Sequence, residues 1–312
     1  MADTGIQHTE HEITIDATAE VVYGLVADVT RWPQIFAPTV HVDHVERDGD
    51  RERIRIWATA NGEVKNWTSG RRLDRTGRRI LFRQEVSQPP VAAMGGTWEL
   101  TPMPAGHTQV VLKHDYSMLT DAQADLDWVA RAVDRNSSAE LAALKTAAEL
   151  GPQLDELIFS FDDTVAVSGD PAVVYDFLRD GARWPERVPH VARLELREDV
   201  PDIQLMEMDT RTANGSVHTT KSVRVCFPHD RIVYKQVEVP PLLLAHTGHW
   251  MVGADAVTSR HTVTVNKAAV GEILGADATI ADARVFLRNA LGGNSIATLK
   301  HAMAYAEGRR NG

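Results

Sequence analysis

The sequence predicts an α+β fold built twice in tandem. Three observations predict it: an internal repeat near 152 residues, a series of hairpin-linked strand patterns in each copy, and a long amphipathic helix closing each copy.

The repeat comes first. Val21-Val22-Tyr23 returns as Val173-Val174-Tyr175, and Arg31-Trp32-Pro33 as Arg183-Trp184-Pro185, both at an offset of 152. Ala60-Asn61-Gly62 answers Ala213-Asn214-Gly215 at 153, residues 80–84 answer 232–236 at 152, Pro89-Pro90 answers Pro240-Pro241 at 151, and Trp98 answers Trp250 at 152. Matches in order, drifting by a single residue, mark a duplicated domain; a solenoid would repeat every ~20–50 residues. The Gly151-Pro152 stop after a helical pattern sets the expected boundary, giving domains 1–151 and 152–312.

The strands come next. "HEITIDA" alternates apolar and polar residues as a strand does, and the segment after it has apolar residues at helical spacing. Pro33 suits the first turn of a second short helix, where its missing N–H costs nothing. Six further strands are expected at 39–47, 52–60, 63–74, 79–86, 95–101 and 107–117. Asp48-Gly49, Asn61-Gly62, Thr76-Gly77 and Ala105-Gly106 supply turn signals between them.

The closing helix spans about 121–150, with Leu126, Val129, Val133, Leu141, Leu144 and Ala148 on one stripe. Its counterpart in the second copy spans about 278–307. A sheet of this length would curl around such a helix and leave a cavity suited to an apolar ligand.

Composition bounds the function. The net charge of −10 argues against a general nucleic-acid binder. No apolar run reaches membrane-span length, the first residues lack a signal-peptide core, and a cytoplasmic protein is expected. Cys226 is the single cysteine, which excludes an intrachain disulfide and a cysteine-based metal site.

Strand periodicity selects candidates. Trp67, Ser69 and Arg71 share one face of their strand, and Thr68, Gly70 and Arg72 the other. Val110, Leu112, His114 and Tyr116 form a mostly apolar row that should point inward. Singly, each residue has a plain explanation. His114 reads as a core histidine, Arg71 as one of a surface run with Arg72, Arg75, Arg78 and Arg79, and Asp134 as a solvated helix flank. Together a cation, a titratable imidazole and a carboxylate around one cavity would make a proton-transfer site.

The run "RWPQIFAP…ANGEVKNWTSGRR…MGGTWEL…LKHDYSM" resembles the di-domain aromatase/cyclases of bacterial type II polyketide synthases, in the helix-grip superfamily of START and Bet v 1-like domains. The resemblance covers essentially the whole chain. It implies two tandem START-like domains, each a curved antiparallel sheet around a long C-terminal helix. It implies Arg71, His114 and Asp134 as catalytic residues, with Trp32, Trp67, Ser69 and Phe82 as substrate contacts. Met94, Trp98 and Tyr116 join them in the first copy, and Arg224 and Trp250 in the second. Thr39 stands where some relatives carry a pocket tyrosine.

The implied reaction is regiospecific first-ring aldol cyclisation, dehydrative aromatisation, or both, of a poly-β-ketone carried by an acyl carrier protein. The pathway's ketosynthase and ketoreductase are further expected partners, and no metal or organic cofactor is expected. A carrier of a lipid, quinone or pigment on the same fold is the alternative. Counting at the repeat offsets places Arg224 opposite Arg71, Thr220 opposite Trp67, Asn266 opposite His114 and Gly292 opposite Asp134. On that count the second copy loses the base and the acid, and His249 beside Trp250 is the most interesting of its own histidines.

Overall fold

A computed structural model describes residues 5–60, 62–211, 215 and 217–310. Asn61, Ala213 and Asn214, which carry one of the repeat matches, lie outside the described residues. The chain forms two compact units, Met1–Leu154 and Asp155–Gly312, dividing three residues after the Gly151 stop.

In the first unit, β1 (Gln7–Ile15) leads into α1 (Ala19–Ala27) and the four-residue α2 (Trp32–Ile35). Pro33 sits in the first turn of α2, as its lack of an N–H favours. Six strands follow: β2 (Thr39–Asp48), β3 (Arg51–Ala60), β4 (Glu63–Asp74), β5 (Arg79–Gln84), β6 (Val91–Pro102) and β7 (Thr108–Met118). They pair antiparallel in the order β1-β7-β6-β5-β4-β3-β2. The strand expected from residue 95 begins at Val91, because pairing extends the ladder as far as Val91 opposite Met118. The closing helix α3 (Gln123–Leu150) ends on Gly151, whose φ of 51° is left-handed backbone that glycine adopts without strain.

The second unit repeats the plan. A short α4 (Pro152–Leu157) precedes β8 (Ile158–Ala166), α5 (Pro171–Arg179) and α6 (Trp184–Arg187). Then come β9 (Val191–Val200), β10 (Ile203–Arg211), β11 (Val217–Phe227), β12 (Arg231–Glu238), β13 (Leu243–Val252) and β14 (Ala256–Val265). The sheet order is β8-β14-β13-β12-β11-β10-β9. Two helices finish the chain, α7 (Lys267–Leu274), which the sequence pattern did not predict, and α8 (Ile280–Arg310). A reciprocal cap starts α8: Asp282 accepts from the Thr279 N–H while Thr279 Oγ1 accepts from the Asp282 N–H.

Each closing helix buries its stripe against its own sheet. In α3 the stripe is Val129, Val133, Ser137, Leu141, Leu144 and Ala148. In the second unit Leu299, Ala302, Met303 and Ala306 of α8 join Val174, Tyr175, Phe177, Leu178 and Ile232 in one packed cluster. Among the described residues, no helix is long and apolar enough to cross a membrane.

The register also aligns the two copies. Gly96 of β6 pairs with His114 of β7, and its counterpart Gly248 of β13 pairs with His261 of β14. The counterpart of His114 is therefore His261; Asn266 is ruled out, because the β13–β14 hairpin is five residues shorter than β6–β7. The neighbouring rung agrees, since Thr9 stands beside His114 and Phe161, at the 152 offset, beside His261.

Candidate active site

Arg71 faces inward, as the Trp67-Ser69-Arg71 alternation allows; Ser69 is 3% and Arg71 5% exposed. Arg72, on the other face, is solvated and paired with Asp50. Arg71 Nη1 donates to Glu52 Oε1 at 2.7 Å and Nη2 donates to the Val26 carbonyl at 2.8 Å. A longer bond runs from Nη1 to the Ala27 carbonyl at 3.4 Å. The guanidinium also lies 5.0 Å over the Trp32 ring.

The two carbonyls belong to the end of α1, where helical C=O groups lack intrahelical partners and the dipole favours a cation. Arg71 thus locks α1, α2 and β3 together. Burial lowers its pKa to about 10, and the Glu52 carboxylate works against that fall. Beyond these three bonds the guanidinium has two N–H donors left, on Nε and Nη2.

His114 faces inward with the rest of its row and meets the Phe82 ring edge-on, with centroids 5.5 Å apart. Gly96 makes that contact possible. A Cβ there would lie 2.0 Å from the Lys113 carbonyl oxygen and 2.7 Å from Phe82 Cζ. His114 Nδ1 is 3.5 Å from Ser137 Oγ of α3. Burial, helped by the positive field of His11 and opposed by Asp115, pushes the His114 pKa down to about 4, so the imidazole is neutral near pH 7.

Asp134 is where the structure departs from expectation. Its side chain is 71% exposed and its Oδ1 bonds to His11 Nε2 at 2.9 Å. It makes no bond to His114 among the described contacts. The helix turns it to the flank, while the face one turn on points inward. In the second unit this strand–helix bridge becomes Asp163 with Arg288, and Gly292 leaves the room: a Cβ on it would lie 2.0 Å from Arg288 Nη1.

The carboxyl that α3 does turn inward is Glu140, three residues beyond Ser137 and so on the same helix face. Glu140 is half-buried, and burial alone raises its pKa to about 7. Sequence pattern could have found it, since Glu140 interrupts the stripe between Ser137 and Leu141. His11, whose Nδ1 is buried without a partner, was likewise missed.

Trp32 and Trp67 pack partly buried against Val29, Val42, Ile54 and Ile56. Met94 packs beside Tyr116, Met118, Val129 and Val133. Trp98 is buried at 6%, and Thr39 at 7%.

The second unit keeps the arginine and, through His261, the imidazole. Arg224 Nη2 bonds to the Leu178 carbonyl, at the end of α5, and the guanidinium lies 5.3 Å over Trp184. The residues opposite Trp67, Met94, His114 and Glu140 are Thr220, His246, His261 and Thr298, all at most 9% exposed. Trp250, expected against substrate, is enclosed in the packed core at 6%. His249 is on the opposite strand face from Trp250 and His246, so on β13 and β14 the inward histidines are His246 and His261. Among the described residues, no group of three or more His, Cys, Asp or Glu is placed to hold a metal.

Comparison with known proteins supplies the family. Two profiles, both described as polyketide cyclase / dehydrase and lipid transport, match residues 7–149 and 167–290. The granaticin polyketide synthase bifunctional cyclase/dehydratase of Streptomyces violaceoruber is 45% identical, covering 97% of this chain and 95% of the relative. The chain belongs to the polyketide cyclase/dehydratase family.

The actinorhodin polyketide synthase bifunctional cyclase/dehydratase of Streptomyces coelicolor is 46% identical over 98% of this chain and 99% of its own length. Crystal structures of two di-domain ARO/CYC proteins share the architecture. BexL, from the BE-7585A biosynthetic pathway, has a TM-score of 0.88 at 54% identity, over 96% of this chain and 99% of its own. StfQ, from the steffimycin biosynthetic pathway, has a TM-score of 0.86 at 36% identity, over 97% and 100%. This cyclase/dehydratase is an aromatase/cyclase enzyme of aromatic polyketide biosynthesis, built as two START-like domains.

Proposed function

We propose that the first domain closes and dehydrates the first ring of a poly-β-ketone delivered by an acyl carrier protein, with His114 and Glu140 as the proton-transfer pair. The observation that carries this reading is a contrast between the two inward faces. Trp67, Phe82, Met94, His114 and Glu140 all keep accessible surface while facing the interior. Their counterparts in the second domain are sealed, apart from the half-buried Tyr234 opposite Phe82.

A methylene between two ketones is acidic enough for a neutral imidazole to remove its proton. The remaining Arg71 donors can hold the resulting enolate oxygen, and the aromatic walls fold the chain so that this carbon meets one carbonyl. Glu140, protonated near neutrality, gives its proton to the new alkoxide. In the dehydration that follows, the Glu140 carboxylate takes an adjacent C–H proton and the His114 imidazolium gives its proton to the hydroxyl, which leaves as water, restoring both groups.

The exposed arginines Arg72, Arg75, Arg79 and Arg83 each face an acidic side chain within 4.0 Å. They can exchange those pairs for the acidic surface of a carrier protein. Ketosynthase and ketoreductase of the pathway are the further partners in this reading.

Reconstitution with a minimal synthase, with and without ketoreductase, tests it. His114→Leu and Glu140→Gln are expected to lose the aromatic product about a hundredfold or more, while Asp134→Asn keeps it. Loss of product with Asp134→Asn and retention with Glu140→Gln would overturn the assignment.

A further inference from the structure

The interior of the second domain leaves several buried polar atoms without partners, two of them on residues that face each other across one rung of the sheet. His261 is the centre of a hydrogen-bonded cluster. Its Nδ1 lies 2.9 Å from His246 Nε2 and 3.0 Å from Tyr234 Oη, and its Nε2 lies 2.6 Å from Ser295 Oγ. Burial holds both imidazoles neutral, with His261 lowered to about 4 and His246 well below its ordinary value.

Whichever tautomer His246 adopts, its Nδ1 points away from this cluster and is buried without a partner. The Oε1 of Gln236, directly across the β12–β13 pair from His246, is also buried and unpartnered. The corresponding position in the first domain has no such gap: Gln84, the counterpart of Gln236, accepts from Ser87 and donates to Met94, the counterpart of His246. Two orphan atoms on residues that face each other across the sheet, where the corresponding first-domain residues satisfy each other, mark a place built for polar contact.

Arg224 adds a sign to that place. It faces the same interior, directly across from Tyr234. Gln204 stands across from it where Glu52 stands across from Arg71. Among the described residues no carboxylate lies within 4.0 Å of its guanidinium, and Glu198 is held by Arg179 and Gln204 instead. A buried cation without its anion favours an electron-rich ligand oxygen nearby. Gln236 and Tyr234 are both half-buried, so this place keeps accessible surface.

We propose that the second domain is a ligand site in its own right, taking a phenol or enolised β-dicarbonyl whose hydroxyl bonds to His246 Nδ1 and Gln236 Oε1 while its carbonyl side faces Arg224. The ligand class rests on the polyketide reading above; the site rests on the orphan atoms and the uncompensated guanidinium. It separates the two domains by task, one holding the flexible chain and the other a ring or enol already formed.

Calorimetric titration of the full-length protein with ortho-hydroxyacetophenone, and with acetophenone as the control lacking the hydroxyl, tests the proposal. One binding equivalent is expected to weaken at least tenfold in His246→Leu and in Gln236→Leu, to survive in His114→Leu, and to be absent with acetophenone. Gln236→Leu keeps the test decisive should His246→Leu fail to fold, as thermal melting would reveal. Wild-type affinity and stoichiometry in both second-domain variants, equal binding of acetophenone, or no binding to the wild type would each overturn it. Failure of the polyketide reading shows separately, as absence of product in reconstitution with this binding intact.

Discussion

His114 and Glu140 are displaced in opposite directions by one cause. Burial disfavours whichever form is charged, so it lowers the imidazole to about 4 and raises the carboxyl to about 7. Their effects on stability therefore oppose each other. Between about pH 4 and 6.5 the unfolded chain binds the His114 proton more readily, so this residue makes stability rise with pH. Between about pH 4.5 and 7 the folded chain binds the Glu140 proton more readily, so this residue makes stability fall with pH. Urea unfolding across that range is expected to expose each slope singly: Glu140→Gln should steepen the rise, and His114→Leu should leave the fall. At this scale the sequence told part of the story. The inward face of His114 followed from strand alternation. The exposed placement of Asp134 was not legible, because a one-residue step on a helix turns a side chain by about 100°, and only the sheet shows which direction is inside.

At the scale of elements, Arg71 belongs to the frame. Its bonds to the α1 end and to Glu52, with Trp32 beneath it, tie four segments together. Glu52→Ala leaves that guanidinium buried without its anion. A loss of about 3–5 kcal/mol, read from urea unfolding, is expected. Gly96→Ala forces a Cβ against the Lys113 carbonyl at 2.0 Å, a backbone contact that no rotamer change relieves. A cost of about 1–3 kcal/mol is expected, and truncating Phe82 should not rescue it. Element identities and most bounds were readable because alternation, turn residues and Pro33 all acted locally. The α7 helix and the early start of β6 were not, since tertiary pairing decides them.

For the whole molecule, the division between Leu154 and Asp155 puts the two closing helices in different units. Leu144 and Leu299 are both fully buried, each on the closing helix of its own domain. Each change to Ala is expected to cost about 2–5 kcal/mol. In the double variant the losses should add within about 0.5 kcal/mol, as denaturant titration would show. The duplication itself was plain in the sequence because matched residues such as Arg-Trp-Pro recur at nearly constant spacing. What the spacing hid was the survival of the imidazole as His261.

The shortened β13–β14 hairpin explains that concealment, and it has a wider consequence. Trimming a hairpin at its tip removes rungs from the far end and leaves every remaining rung in place, so Gly248 still meets His261 as Gly96 meets His114. Length is therefore a freely varying trait in these domains, whereas partnership across the ladder is inherited. Two copies descended from one ancestor can drift apart in residue count while the residues that face each other stay fixed. In this fold kinship is kept by neighbours in space, and relatives that differ in loop length are best aligned rung by rung.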